Sequence, residues 1–261
     1  MFCCGMFRSA STLQFQITAQ LVQESGRGIQ VGWIDAKRFG EVRSRYADEA
    51  DYKDVYKVIK VHLCPAAIQA EFRSGNALGI YIHRDIRDVY ASMMKQRQKS
   101  FDFLWNEGFL EDCLESYQIW TQLPHVLISE YVQVMADLPR EVDRIARHLQ
   151  IKIPPDRARS IAAAHTLDAQ QQRIQAFRQQ LLQQQLDPND HREIVDYHDE
   201  ATLLHMNHID SAKIDRWKDD LTLEQIDRIE AKARSWGLDL RRREVEHQGR
   251  AGDGDRGRFG E

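Results

Sequence analysis

The chain has 261 residues, of which 42% are hydrophobic and 29% charged, and a formal net charge of -4. That length suffices for one sizeable α/β core with an appended lobe, and the mild acidity argues against nucleic acid as a main partner. No apolar stretch approaches the ~18 residues of a membrane helix, which argues against stable membrane insertion.

Residues 2–6 are apolar and predict a strand. The polar segment Phe7-Arg8-Ser9-Ala10-Ser11-Thr12 follows, and then Leu13, Ile17 and Leu21 recur at helical spacing. A strand, a tight polar loop and a helix N-terminus make an anion site from backbone N–H groups and the helix dipole. Arg8 adds a cation, and Ser9, Ser11 and Thr12 add hydroxyls. Gly5 fits the first glycine of a nucleotide P-loop, but Ala10 stands at its second glycine and Ser11 at its lysine. A magnesium-dependent kinase or nucleotide hydrolase is therefore disfavoured. The plainer alternative is a Ser/Thr-capped helix beside an exposed arginine. The cysteines are Cys3, Cys4, Cys64 and Cys113, with no zinc or redox spacing, which suits a reducing compartment. The apolar start is cut by Arg8 and does not read as a signal peptide, so a cytoplasmic protein is expected.

Residues 29–34, 55–62, 77–83 and 126–129 read as further strands. Lys60 and His62 lie two apart and so share a face at the end of the third. A lysine there favours a neutral imidazole, the state a general base needs. The competing reading is a solvated strand end. The fourth run stops at Arg84, with a helix starting soon after, and Ser92 lies about two helical turns on. A guanidinium and a hydroxyl converging at a sheet's C-terminal edge can hold a phosphate. A salt-bridged strand-to-helix corner is the alternative. Asp85 and Asp88 suggest a metal pair, but Arg84 and Arg87 between them favour ion pairing. After the last strand, Val142, Ile145, Ala146 and Leu149 form a helical face.

Strands alternating with helices imply an α/β fold with a parallel sheet of about five strands, flanked by helices in the manner of P-loop nucleotide-binding folds. The second half is helical. Residues 167–186 form a Gln-rich amphipathic helix with Ile174, Phe177 and Leu181 as its stripe. Residues 187–190 break it, and residues 191–216 are polar, irregular and rich in histidine: His191, His198, His205 and His208. Their spacing favours packing or solvation over a metal site. Thr222 and Gln225 make a capping box for a last helix, with Leu223, Ile226, Ile229, Ala233 and Trp236 as its buried face. Trp105, Trp120 and Trp217 read as core. The expected organisation is a single domain over residues 1–246, divided into a nucleotide-binding core (1–150) and a helical lobe (151–246), with a disordered tail over 247–261.

Five segments together resemble the PAPS-dependent sulfotransferases, where PAPS is 3′-phosphoadenosine 5′-phosphosulfate. Residues Cys4 to Thr12 are similar to the family's 5′-phosphosulfate loop. Lys60-Val61-His62-Leu63, with Pro65 nearby, resembles its K-T/S-H-x-P strand end. Arg84 to Ser92 resembles its R-x-x-x-D-x-x-x-S segment for the 3′-phosphate. Ile128-Ser129-Glu130-Tyr131 resembles its strand ending in a tyrosine, and Arg216 to Thr222 its late W-K-x-x-L/F-T element. The resemblance spans about residues 2–240.

By that resemblance the reaction is transfer of a sulfuryl group from PAPS to a hydroxyl, less readily an amine, by in-line displacement with release of PAP and without a metal. The acceptor would be a small molecule, glycan or lipid. A non-catalytic nucleotide-binding relative is the other alternative. The resemblance implies His62 as catalytic base and Lys60 and Arg8 at the sulfuryl group. It further implies Arg8, Ser9, Ala10, Ser11 and Thr12 around the 5′-phosphate, Arg84 and Ser92 on the 3′-phosphate, and Tyr131 near the adenine or 3′ side. Departures are Arg8 for the loop lysine, Leu13 for an aromatic residue after the loop, and Asp210-Ser211-Ala212-Lys213 for a basic element before the late tryptophan. Ser211 or Lys213 would substitute in part for that element.

Overall fold

The structure is a computed structural model that describes residues 1–48, 55–190, 192, 197–207, 209, 213–238 and 240. The expected tail over 247–261, and with it Ser211, His191 and His208, lies outside these residues.

Five strands form one parallel sheet: β1 (Phe2–Gly5), β2 (Gly28–Trp33), β3 (Tyr56–Lys60), β4 (Gly79–His83) and β5 (Val126–Glu130), in the order β2-β3-β1-β4-β5. The first strand is therefore central. Side chains alternate across it. Phe2 and Cys4 enter one core with Tyr81, Phe72 and Trp120, while Cys3 enters the other with Val58, Ile80 and Phe15. Such a two-sided core is why β1 and β4 read as unbroken apolar runs.

Helix α1 (Ser11–Glu24) follows β1, and α2 (Phe39–Asp48) and α3 (Ala66–Arg73) lead towards β3 and β4. Next come α4 (Ile86–Arg97), α5 (Phe101–Asn106) and α6 (Phe109–Gln122). After β5 the chain forms α7 (Tyr131–Ala136), α8 (Leu138–His148), α9 (Pro155–Ala164) and α10 (Leu167–Gln183). Helices α11 (Trp217–Asp220) and α12 (Leu223–Ser235) close the described fold. The α8 face is buried as its spacing predicts: Val142, Ile145, Ala146 and Leu149 all join the core around α1.

The capping box of Thr222 and Gln225 is present at the start of α12. Ile229 and Ala233 are fully buried, but Leu223 is 81% exposed and is not part of the buried face. It occupies the first helical position, where the chain has not yet turned onto α4. Helix α12 is held there by Glu230, which pairs with Arg87 Nη1 at 2.9 Å, while the Arg87 guanidinium stacks on the Trp217 ring at 3.9 Å. Asp85 and Asp88 are ion-paired to Arg87 and Arg84, as the interleaved arginines predicted. Within the irregular region, residues 197–206 fold into a short hairpin with a bridge between His198 and His205.

Candidate active site

The C-terminal ends of β1, β3, β4 and β5 open into one cavity of about 370 Å³. Such a crevice is where open α/β sheets take ligands. The lining includes Arg8, Ala10, Ser11, Thr12, Lys60, His62, Arg84, Ser92, Tyr131 and Lys213, so residues more than 200 positions apart in sequence meet. Of the expected site residues within the described chain, only Ser9 does not line it.

The loop after β1 is shaped by backbone geometry. Arg8 (φ 61) and Ala10 (φ 67) are both left-handed, an arrangement that turns successive N–H groups towards one point. Gly5 is needed for close approach: a Cβ there would sit 2.7 Å from the Ile82 carbonyl oxygen and 2.9 Å from Ser9 Oγ. Ser9 is wholly buried, with Oγ 2.5 Å from the Met6 carbonyl and 3.0 Å from that of Ile82. Its hydroxyl ties the loop to β4 and faces away from the cavity, so the hydroxyls left for a ligand are those of Ser11 and Thr12. The Ser/Thr-capped helix considered from sequence is not formed: Ala10 is the cap, and no side chain caps α1. The open N-terminus is suited to an anion.

Lys60 is 3% exposed, and its Nζ donates to Thr12 Oγ1 at 2.5 Å. Burial pushes its pKa down to about 8. His62 lies just past the end of β3, its ring stacked on Phe7 at 5.0 Å between centroids. Its pKa falls to about 3, first from burial, then from Lys60 and then from His205. The neutral imidazole expected from Lys60 is therefore found, but desolvation is its larger cause. His62 Nδ1 is buried without a hydrogen-bond partner.

Arg84 is 6% exposed and held on several sides. It pairs with Asp88, donates to the carbonyls of Arg8 (3.3 Å) and Lys213, and stacks over the Tyr131 ring at 4.4 Å. Asp88 in turn accepts from the backbone N–H groups of Asp215 and Trp217. Burial raises its carboxyl pKa against the pull of Arg84. Arg8 Nε donates to Ser92 Oγ at 3.0 Å, which joins the loop after β1 to α4. The Lys213 ammonium pairs with Asp219.

Arg97 and Arg216 also line the cavity and were not singled out from sequence. Arg216 stands directly before Trp217, three residues after Lys213, which the sequence offered as a substitute for the missing basic element. The wall thus holds six basic side chains (Arg8, Lys60, Arg84, Arg97, Lys213, Arg216) and, among the described residues, no acidic one. In a protein of net charge -4, that concentration suits a polyanion, with Arg84, Arg97, Lys213 and Arg216 each also paired to a carboxylate outside the lining. Among the described residues there is no group of three or more His, Cys, Asp or Glu positioned for a metal, and no helix long and apolar enough to cross a membrane.

The model of the sulfotransferase domain matches residues 18–237. The chain belongs to the sulfotransferase family. The match begins inside α1 and does not cover the loop after β1. No curated protein matches the sequence. Among solved structures, retinol dehydratase in complex with androsterone and PAP is 18% identical, with a TM-score of 0.58 over 90% of this chain and 79% of that one. Retinol dehydratase with retinol and PAP is 18% identical, with a TM-score of 0.55 over 99% and 82%. A mouse sulfotransferase complexed with PAP is 14% identical, with a TM-score of 0.54 over 89% and 82%. At these identities the likeness is one of fold, and it agrees with the five-stranded parallel sheet of this sulfotransferase.

Proposed function

We propose that this sulfotransferase takes its sulfuryl group from PAPS and passes it to a hydroxyl of a small-molecule acceptor. One observation carries the reading: six basic side chains and an uncapped helix N-terminus line one cavity that has no acidic residue among those described. A nucleotide with phosphate groups at both the 5′ and 3′ positions matches that distribution. Arg84 and Ser92 take the 3′-phosphate, with Lys213 and Arg216 beside them. The N–H groups of the loop and the hydroxyls of Ser11 and Thr12 take the 5′-phosphate. Tyr131, already stacked on Arg84, orients that guanidinium.

In the reaction the acceptor oxygen bonds to sulfur as the bond from sulfur to the 5′-phosphate oxygen breaks, and the acceptor proton passes to His62. His62 is neutral and so has a lone pair for it, although a pKa of about 3 makes the free imidazole a weak base. Negative charge grows on the departing phosphate oxygen, where Lys60 and the loop N–H groups stabilise it; preorganised donors of this kind contribute on the order of 3–4 kcal/mol each. Arg8 joins them by moving from Ser92. Retinol and androsterone, bound by retinol dehydratase, are apolar alcohols. An alcohol of that kind is the first acceptor class to screen here, ahead of glycans. The test is transfer of labelled sulfate from PAPS to an alcohol panel, with PAP as competing product. Transfer inhibited by PAP is expected. Transfer from ATP to the same acceptors, with none from PAPS, would replace this reading with a kinase.

A further inference from the structure

Five of the six cations in the cavity wall have a place in the nucleotide reading: Arg8 and Lys60 on the 5′ side, and Arg84, Lys213 and Arg216 on the 3′ side. Arg97 has none. It is the last residue of α4, whereas Arg84 stands before that helix and Ser92 lies within it. At 1.5 Å per residue, Arg97 is about 7.5 Å beyond Ser92 along the axis, so the helix carries it away from Arg84. Met93 and Arg97 are four apart and share a face, and both line the cavity with Gln96. A chain of contacts links this end of α4 to the proposed base. His62 stacks on Phe7, Phe7 packs on Phe109 with centroids 5.8 Å apart, and Phe109 packs on Tyr90 of α4 at 5.8 Å. Phe109 opens α6 two residues after Glu107, and Glu107 is the partner of Arg97, Nη1 to Oε2 at 3.2 Å.

The side chains of Arg97 and Glu107 are 47% and 44% exposed. An ion pair so open to water is weak, so the guanidinium can exchange Glu107 for the carboxylate of a ligand. Phe7, Met93 and Ile209 add apolar wall to the same cavity, and no acidic side chain among the described residues lines it to repel an anion. An acceptor in this half of the cavity offers its hydroxyl to His62, lays an apolar body on Phe7 and Met93, and presents an anion to Arg97. A carboxylate is planar and matches the guanidinium fork with two parallel hydrogen bonds.

We propose that the acceptor is a hydroxy acid, an alcohol with an apolar body and a carboxylate remote from the hydroxyl, and that Arg97 selects it by exchanging Glu107 for that carboxylate. The proposal rests on the sulfotransferase reading of the cavity. Transfer of labelled sulfate from PAPS to ω-hydroxyalkanoic acids of increasing chain length, each beside its methyl ester, tests it, because the ester removes the charge and keeps the body. At the best length, kcat/KM for the acid should exceed that for the ester by ~10-fold or more, and the ratio should fall as salt screens the half-exposed cation. Arg97→Met should reduce the ratio below ~3-fold. Glu107→Gln removes the competing carboxylate and should raise it by ~2- to 5-fold, which a purely structural ion pair would not do. Equal kcat/KM for acid and ester at every length overturns the inference and leaves the sulfotransferase reading standing, and so does a folded Arg97→Met protein that keeps the preference. If that variant does not fold, the response to Glu107→Gln decides, and no rise overturns the inference. If no acid or ester is sulfated, PAP titration separates the failures: with PAP bound only the hydroxy-acid acceptor is overturned, and without it both readings fall.

Discussion

Lys60 separates a binding site from a structural lysine, because the two roles predict opposite effects of one change, Lys60→Met. Its pKa of about 8 lies some 2.5 units below the ordinary 10.5, so holding it charged in the fold costs on the order of 3 kcal/mol. Between pH 8 and 10.5 the folded chain binds fewer protons than the unfolded one, so stability rises with pH across that window and the cost is fully present below pH 8. Lys60→Met removes the cost and also the bond to Thr12, worth about 1 kcal/mol. The net gain is about 2 kcal/mol at pH 7, or roughly 5 °C in Tm for a chain of this size. PAP affinity should fall in the same variant by ~10- to 100-fold through loss of a charge-assisted bond. The bound anion favours charged Lys60, so binding to the unmodified protein above pH 8 should take up a proton, seen as a buffer-dependent calorimetric heat. Scanning calorimetry and PAP titration of Lys60→Met decide the matter. A lower Tm with unchanged PAP affinity would refute the reasoning and make Lys60 a packing residue.

His62→Ala should reduce sulfuryl transfer by ~10²–10⁴-fold with PAP affinity nearly unchanged. Because burial holds the His62 pKa at about 3, the ring stays neutral from pH 8 down to about pH 4 and activity should show no acid limb in that range from this group; a limb near pH 6.5 that vanished in His62→Ala would contradict the desolvated environment. Arg8→Ala should lower turnover by ~10²–10³-fold. Since Arg8 Nε also holds Ser92, PAP binding should weaken about tenfold, and single-turnover rates with unaltered PAP affinity would limit Arg8 to the sulfuryl group. Asp88→Asn leaves Arg84 without its carboxylate and weakens the bonds to Asp215 and Trp217. Because burial of the Asp88 charge outweighs the pull of Arg84, the change should cost less than about 1 kcal/mol in urea unfolding, and a much larger loss would show that the Arg84 pair is strongly net stabilising.

Much of the site was legible because its signals are local. The apolar run of β4 ends at Arg84, Asp85 caps α4 by accepting from Arg87 N, and Ser92 follows two turns later. Direction was less legible. Ser9 reads as one more hydroxyl in a polar loop, yet the missing Cβ of Gly5 brings Ile82 close enough to turn that hydroxyl inward. Leu223 satisfies the helical period of α12 but lies one turn too early to reach the core. His62 was expected to be neutral because of Lys60, whereas the main cause is a burial that no local pattern encodes. Arg216, His205 and Gln170 reach the cavity through the fold of the second half alone.

The account stands most directly on one comparison: calorimetric titration of the protein with PAP and with ADP, with and without magnesium. Arg84, Ser92 and their neighbours should make PAP bind at least ~30-fold more tightly than ADP, independently of magnesium, through a charge-assisted contact to the 3′-phosphate. Arg84→Lys, which retains a charge for Asp88 but not the planar fork, should cut that preference about tenfold. Equal affinity for the two nucleotides, or tight binding of ADP only with magnesium, would contradict the assignment of this cavity to PAPS.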